Sequence, residues 1–167
     1  RDQAKTFIYA FIYGAGDAKI GAVVGGNRTD GKNLKERFLS RTPALANLRK
    51  RVFKSAKTSK IKGLDGRYLK IRSEHSALNV LLQGAGAIVM KKALSIFYQD
   101  LLKQKLNPSQ YFVANIHDEW QLDVPTGLCE QVANIGVRSI RKTAQALNLN
   151  CPLDGEYKIG NCWSATH

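Results

Sequence analysis

The sequence predicts an α+β fold in which helices come first and a small antiparallel sheet follows toward the C-terminal end. Three observations predict it. Through most of the chain, apolar residues recur at the spacing of an amphipathic α-helix. Two short runs with the alternation of strands flank His117-Asp118-Glu119, which favours a hairpin. A glycine-bounded turn at Gly63–Arg67 indicates a second hairpin, whose later arm is residues 68–71.

The first helix is predicted over residues 1–13, because its apolar side chains gather on one side. The opposite side carries a four-residue repeat of two cations and two phenol rings, Arg1, Lys5, Tyr9 and Tyr13. Residues at this spacing lie one above another on a helix. Gly14-Ala15-Gly16 is expected to end the helix.

Three short helical segments are expected next, with a basic exterior. An amphipathic piece is predicted at residues 18–24, turns at 25–27 and 30–31, and a helix at 32–39. Thr42 is expected to cap the following helix, with Pro43 at its first position. In that helix, three apolar residues are predicted to line one side and three cations to project outward: Leu45, Leu48, Val52 and Arg49, Lys50, Arg51.

The remainder is predicted to contain a long helix, a hairpin and another helix. Residues 76–102 are apolar nearly all round, which predicts a buried helix. Strands are expected at 111–116 and 120–124, and a helix at 129–147 precedes an irregular tail. The lysine-rich stretch before the Gly63–Arg67 turn suggests a lobe boundary, which divides the chain into residues 1–65 and 66–167.

The charge of the chain favours a polyanionic partner. The 167 residues carry 26 basic and 13 acidic side chains, a net charge of +13. Between Arg28 and Arg72, fifteen Lys and Arg oppose three acidic residues, so that stretch alone carries +12. We define residues 28–72 as the basic segment. It lacks the sustained apolar face of a helix that lies on a membrane, so nucleic acid is the expected partner.

The cysteines and the apolar runs indicate the compartment. Cys129, Cys151 and Cys162 are odd in number and fit no Cys-x-x-Cys pattern, which predicts reduced thiols in a cytoplasm. No uninterrupted apolar run of about 18 residues and no signal peptide is evident, so no membrane partner is expected. The chain opens on Arg1 inside a helical pattern, which predicts that the N-terminus is incomplete.

Chemistry is predicted at two places. Asp118 and Glu119 at a hairpin tip would project carboxylates toward divalent cations, as phosphoryl-transfer sites require. Taken alone, the motif favours a solvated turn, because His-Asp-Glu occurs often by chance, and one carboxylate pair supplies only half of a two-metal site. The Arg1, Lys5 and Tyr9 face offers cations for phosphate oxygens and a ring for stacking, or it is simply a solvated helix face.

Taken together, these motifs resemble those of family A (polymerase I-type) DNA polymerases, and most nearly the phage replicative branch. The likeness runs in order over essentially the whole chain, from the first helix to Trp163 and His167. It rests on Arg1-x-x-x-Lys5-x-x-x-Tyr9-x-x-x-Tyr13-Gly14, Gly63–Arg67, Asn79-x-x-x-Gln83 and His117-Asp118-Glu119. The resemblance implies a fingers subdomain in residues 1–65 and the C-terminal part of a palm in residues 66–167, the latter carrying the His-Asp-Glu hairpin on its small sheet.

The resemblance also implies roles for the matching positions. Arg1 and Lys5 would hold the triphosphate of an incoming deoxynucleotide, Lys5 as a catalytic residue, with Tyr9 against the sugar and base. Asp118 would bind metal with Glu119 beside it as a second catalytic carboxylate, and the working ions would be two Mg²⁺ in the complete enzyme. The residues that would contact the primer-template are Tyr13, Gly14, Arg72, His75, Asn79, Gln83 and His117.

One departure from the family decides what the isolated chain is expected to do. The family's other metal-binding aspartate precedes the first helix, and this chain begins too late to contain it. We therefore expect part of a DNA-directed DNA polymerase that is inactive alone, with its N-terminal part supplied in cis or in trans, in the cytoplasm of a phage-infected host. The alternatives are a non-catalytic nucleic-acid-binding module and a relative of single-subunit RNA polymerases, although the latter usually carry His-Asp-Ser where this chain has Glu119.

Overall fold

A computed structural model describes residues 1–166, which form two compact units divided between Ala85 and Gly86. His167, part of the terminal resemblance, lies outside the described residues. The structural division falls later in the chain than the lobe boundary expected between residues 65 and 66. The β-hairpin that follows residue 59 accounts for the difference, because Ile61 and Ile71 are buried in the core of the first unit.

The first unit contains four short helices, a hairpin and the start of a long helix. The helices are α1 (Asp2–Ile12), α2 (Asp17–Val23), α3 (Arg28–Arg41) and α4 (Pro43–Ala56). Strands β1 (Lys60–Lys62) and β2 (Tyr68–Lys70) pair antiparallel, and a 3-10 turn at Glu74–Ser76 leads into α5 (Ala77–Lys103), which ends in the second unit. The predicted helices and the predicted Gly63–Arg67 hairpin are all present.

An aromatic cluster orients α1. Phe7 and Phe11 are buried, and each meets the ring of Phe38 from α3 edge-on, at centroid distances of 5.1 and 5.2 Å. Because successive helical residues are rotated by about 100°, burial of this pair directs the Lys5 and Tyr9 side of α1 outward. Lys5 and Tyr9 are exposed accordingly.

The helix α3 begins earlier than predicted, and the turn expected at Asp30-Gly31 is wrong. Asn27 caps the helix by accepting from the amides of Thr29 and Asp30, and the Asp30 carboxylate accepts from the Asn27 amide in return. This reciprocal capping box satisfies backbone donors that otherwise lack partners. Gly31 therefore lies inside the first turns of the helix, where a Cβ would overlap the carbonyl oxygen of Asp17 in α2.

Thr42 is the N-cap residue of α4 and Pro43 lies at its start, as predicted. The Thr42 hydroxyl, however, makes no capping hydrogen bond and donates to the Phe38 carbonyl at 2.7 Å, at the end of α3. One expectation about α4 is wrong. Arg49 does not project outward with Lys50 and Arg51, because its guanidinium lies 4.4 Å from the Phe53 ring centroid. A guanidinium is weakly hydrated and attracted to ring faces, so this half-buried position suits it.

The second unit contains the end of α5, a hairpin, and α6 (Cys129–Ala146), followed by an irregular tail and the short α7 (Trp163–Thr166). Strands β3 (Phe112–Ile116) and β4 (Glu119–Leu122) pair antiparallel, as predicted. Their core is Phe97 and Leu101 of α5 against Val132 and Ile135 of α6. The tail is attached to α6 by the Arg141–Asp154 ion pair at 2.8 Å.

The prediction that α5 is buried is wrong within the described residues. Leu82, Tyr98 and Leu102 are exposed, although Phe97 and Leu101 are buried. By length and composition alone, the segment Glu74–Lys103 qualifies as a membrane-crossing helix, although the sequence analysis expected no membrane partner. A single such helix is weak evidence for a membrane, because length and composition are its only basis.

The close approach of α2 and α3 generates a stability prediction. Alanine normally stabilises a helix by about 0.5–1 kcal/mol relative to glycine. At Gly31 the added methyl meets the Asp17 backbone, so we expect Gly31→Ala to destabilise the chain by about 1–3 kcal/mol in urea unfolding followed by circular dichroism.

The matched control is Gly86→Ala, because a Cβ at Gly86 in α5 meets nothing within 4 Å. It should leave the chain as stable or make it slightly more so. Equal effects of the two substitutions would contradict the packing of α2 on α3.

Candidate functional site

The outer face of α1 carries the predicted nucleotide-binding residues. Arg1, Lys5 and Tyr9 are all exposed, with Tyr9 61% exposed. Arg1 is the N-cap residue and the Lys5 amide donates to its carbonyl at 3.2 Å, so Arg1 and Lys5 stand one turn apart. Two cations on one exposed face, followed by a ring, can contact phosphate oxygens and stack against a flat group.

Tyr13, Gly14, His75 and Gln83, four residues predicted to contact DNA, lie together in the first unit. The Gln83 side-chain amide donates to the Tyr13 hydroxyl at 3.3 Å. Gly14 has a φ of 77°, and a Cβ there would overlap the His75 carbonyl oxygen, so glycine allows the α1 end to approach the turn before α5. The resemblance in sequence predicted these residues as DNA contacts, but it did not predict the contacts they make with one another.

Arg72 and Asn79 lie near this group in sequence and differ in environment. Arg72 is exposed. Asn79 is half-buried, and its Oδ1 is one of two buried side-chain polar atoms without a hydrogen-bond partner among the described residues. A buried acceptor without a donor is unfavourable, and a bound group that supplies a donor would relieve it.

A pocket of about 360 Å³ adjoins Gly14 and His75. Its lining includes Arg28, Lys35 and Arg49, which the sequence analysis counted in the basic segment without assigning them individual roles. Burial lowers the pKa of the Arg49 guanidinium. The sequence analysis did not pair Arg49 with Phe53, although their four-residue spacing is a signal that puts both on the same face of α4.

Lys35 holds the turn between α1 and α2. Its ammonium donates to the Ala15 carbonyl at 2.6 Å and pairs with the Asp17 carboxylate at 2.9 Å. The hydrogen bond from Lys35 holds the pKa of Asp17 below its ordinary value of 3.8. This clamp fixes the chain immediately after Gly14.

The predicted metal-binding residues lie at the tip of the β3–β4 hairpin in the second unit. Ile116 faces Glu119 in the register, so His117 and Asp118 form the turn, and both are exposed. His117 adopts a left-handed backbone with a φ of 53°, which is uncommon for residues other than glycine, although histidine is enriched among the exceptions. The turn projects the Asp118 carboxylate into solvent.

The two faces of β4 are different. Trp120 stacks on Phe97 at 5.2 Å and Leu122 packs against the core of the second unit, so these residues anchor the strand. Glu119 and Gln121 point to the other face, because side chains alternate along a strand. There the Gln121 amide donates to Glu119 Oε1, a contact that the sequence analysis did not anticipate.

The hairpin offers the type of ligand that a hard divalent cation prefers, but it offers too few of them. Carboxylate oxygens are the ligands that Mg²⁺ prefers. Within residues 1–166, however, no group of three or more His, Cys, Asp or Glu side chains is arranged to hold a metal ion. The described residues at the hairpin therefore supply fewer ligands than a complete metal site requires.

Comparison with known proteins shows what this chain is similar to. The family model for DNA polymerase family A matches residues 1–165. The DNA-directed DNA polymerases of Escherichia phage Phieco32 and Escherichia phage T7 are 39% and 38% identical over 100% of this chain. The chain spans 28% and 27% of the length of these two relatives.

A solved structure has the same fold. The POL domain of Pol1 from M. smegmatis, in a complex with DNA primer-template and dNTP, aligns with a TM-score of 0.75 over 92% of this chain and 28% of that chain. The sequence identity of 19% limits this likeness to the fold. It agrees with the α+β architecture predicted from the sequence.

The Lys35–Asp17 clamp generates a pH prediction. Because the folded-state pKa of Asp17 is lowered, its contribution to stability is present above the ordinary value of 3.8 and is lost as the pH falls through the lowered pKa. The free energy of unfolding of wild type should therefore exceed that of Asp17→Asn at pH 6, and the difference should vanish in strong acid.

Urea unfolding across the pH range measures this difference. Asp123→Asn is the control, since Asp123 is exposed and its side chain forms no ion pair among the described residues. A difference for Asp17→Asn that is the same at pH 6 and in strong acid would contradict the clamp.

Proposed function

Because the chain belongs to DNA polymerase family A, we propose that it is the C-terminal part of a DNA-directed DNA polymerase that extends a primer in the 5′-to-3′ direction. The observation that carries this proposal is the similarity to phage DNA-directed DNA polymerases along the whole chain. Since the chain matches only part of those relatives, its substrates and partners are proposed with the activity. The setting would be the cytoplasm of an infected bacterium.

In this proposal, the exposed face of α1 binds the incoming deoxynucleoside triphosphate. Arg1 and Lys5 neutralise phosphate charge, and Lys5 also stabilises the negative charge that develops during phosphoryl transfer. The Tyr9 ring packs against the sugar and base. The anchoring of Phe7 and Phe11 supports these roles, because the cations then need no rearrangement to meet the triphosphate.

The primer-template is proposed to contact Tyr13, Gly14, His75 and Gln83, together with Arg72, Asn79 and His117. The hydrogen bond between Tyr13 and Gln83 supports a shared surface for the first four. A ring held by an amide at its hydroxyl keeps a fixed orientation, which favours stacking against a base. Asn79 Oδ1 is buried without a hydrogen-bond partner among the described residues, so a turn of this side chain toward a donor on a base edge would be favourable.

Asp118, with Glu119 beside it, is proposed to supply part of a Mg²⁺ site. The bound ions would activate the primer hydroxyl and neutralise the triphosphate. The contribution of this chain is to hold the two carboxylates on a hairpin anchored by Trp120 and Leu122. The missing ligands would come from an N-terminal part of the polymerase, in cis or in trans, so the isolated chain is proposed to be inactive.

The exposed apolar residues of α5 are consistent with this arrangement. Leu82 and Leu102 would be covered in a larger protein, because apolar surface is stabilised by removal from water. A relative of single-subunit RNA polymerases is a weaker alternative. The relatives described above are DNA-directed DNA polymerases, and Glu119 stands where the RNA enzymes usually carry serine.

Primer extension by a chimaera tests the proposal. The chain replaces the C-terminal portion it matches in the Escherichia phage T7 relative, so that the missing ligands are supplied. With Mg²⁺ and four deoxynucleotides, we expect the chimaera to extend a DNA primer and the isolated chain to give no product. Asp118→Ala should lower the rate by about 100-fold or more, because charge stabilisation in the transition state is lost.

The matched control is Glu156→Gln, which removes an exposed carboxylate on the tail. Extension by the isolated chain that depends on Asp118 would contradict the incomplete site. A well-folded chimaera whose extension is unaffected by Asp118→Ala would contradict the role of the hairpin.

A second candidate function is non-catalytic binding of nucleic acid. The exposed cations of the basic segment favour it, among them Lys50 and Arg51 on the outer side of α4. Such binding would be dominated by phosphate contacts and would fall steeply with salt. Binding unaffected by nucleotide and by Asp118→Ala would support this function over polymerisation.

The salt dependence yields a quantitative prediction for the basic segment. If Arg51 contacts a phosphate, Arg51→Ala should reduce the slope of log K against log salt concentration by about 0.9 for duplex DNA. Fluorescence anisotropy with a labelled primer-template measures the slope. Lys103→Ala is the control, because Lys103 is exposed outside the basic segment and is paired with Asp100 at 3.2 Å. Equal slopes for wild type and Arg51→Ala would show that Arg51 does not contact a DNA phosphate.

A further inference from the structure

We propose that Gln121 is a positioning residue that holds the Glu119 carboxylate in place, with the Thr166 hydroxyl of α7 as a second support. This inference rests on the proposed function, because it concerns a carboxylate beside the proposed metal ligand Asp118. It adds two residues that neither the sequence motifs nor the family likeness assigned. Both lie in the second unit with the hairpin they support.

The alternation of β4 places Gln121 beside Glu119. Residues two apart on a strand share a face, and the Gln121 side-chain amide donates to Glu119 Oε1. The opposing strand leaves room for this contact, because the small Ala114 faces Gln121 in the register. On the reverse face, the Trp120 ring stacks on Phe97, so β4 cannot rotate to release the pair.

The chemistry of the two side chains fixes the orientation of the amide. A carboxylate accepts hydrogen bonds and donates none, so the NH₂ group of Gln121 must face Glu119. Its carbonyl oxygen then points away and meets Thr166 Oγ1 at 3.4 Å. A hydroxyl can donate to a carbonyl oxygen in this arrangement. Thr166 can therefore donate to Gln121, and Gln121 in turn donates to Glu119.

The Thr166 contact is the weaker of the two supports. Its hydroxyl also lies 3.0 Å from the Trp163 carbonyl, and it has only one hydrogen to donate. Loss of Thr166 should therefore affect Glu119 less than loss of Gln121. The contact nevertheless joins the last described turn of the chain to a strand that carries a proposed catalytic carboxylate.

An uncharged donor suits this position. A lysine or arginine at residue 121 would hold the carboxylate equally well but would cancel its charge and repel a cation. Glutamine restricts the rotation of Glu119 and leaves the charge intact. Partners that orient ligands in this way typically change metal affinity or activity by about 10- to 100-fold when they are removed.

The test follows hairpin signals in nuclear magnetic resonance spectra of the 167-residue chain, with Mn²⁺ as the probe. In wild type, Mn²⁺ should broaden the backbone amide signals of Asp118 and Glu119. Gln121→Leu should require about 10- to 100-fold more Mn²⁺ for equal broadening. Gln131→Leu, which removes an exposed glutamine of α6, should leave the titration unchanged.

Metal-free spectra supply a second readout. The side-chain amide signals of Gln121 should shift in Glu119→Gln, shift less in Thr166→Val, and stay in place in Thr166→Ser, which keeps the hydroxyl. If Gln121→Leu fails to fold, Gln121→Asn replaces it, since asparagine keeps the amide but is one methylene too short. An unchanged Trp120 indole signal verifies that the hairpin is intact in each variant.

The outcomes separate this inference from the proposed function. If Mn²⁺ broadens the hairpin equally in wild type and Gln121→Leu but not in Asp118→Ala, the positioning role is overturned while the metal role stands. If Mn²⁺ leaves the wild-type hairpin unbroadened, the proposed metal role fails, and the Gln121 amide signals still decide the contact. If the Gln121 side-chain amide signals do not shift in Glu119→Gln, the inference is overturned.

Discussion

Aromatic rings pack against one side of α1 and one side of the β3–β4 hairpin, and this packing determines the direction in which the opposite sides face. Phe38 receives Phe7 and Phe11 in the first unit, and Phe97 receives Trp120 in the second. In both places, burial of rings provides the stabilisation, and polar groups occupy the face that remains. The face of α1 that carries the cations and the hairpin that carries the carboxylates are thus oriented by ring contacts in which those charged groups take no part.

The sequence predicted those elements whose periodic pattern is continuous. The helices α1, α5 and α6 and the β3–β4 hairpin lie within a residue or two of their predicted positions, because a sustained period is a strong local signal. The start of α3 was missed because Asp30-Gly31 resembles a turn in isolation. Only the capping contact with Asn27 and the closeness of α2 make those residues helical.

Partners in space were harder to predict than elements. The apolar composition of α5 indicates that its surface favours burial, but it does not specify which residues of the described chain cover it. Arg49 was expected in solvent because its charge suggested it, whereas the adjacent rings of α4 and α1 provide a better environment. The contact of Gln121 with Glu119 depends on alternation within β4, which was visible in the sequence, and on the amide orientation, which was not.

The meeting of α2 and α3 has a consequence for genetics. A Cβ at Gly21 would overlap the Asn27 carbonyl, and one at Gly31 would overlap the Asp17 carbonyl, so in each case the obstacle is backbone. No change of a neighbouring side chain can remove a backbone atom, so second-site suppressors of substitutions at these glycines should be rare. At Gly84 the obstacle is the end of the Leu69 side chain, where a smaller residue would restore the fit. Substitutions at Gly21 and Gly31 are thus not expected to be rescued by a single second mutation, whereas a substitution at Gly84 is.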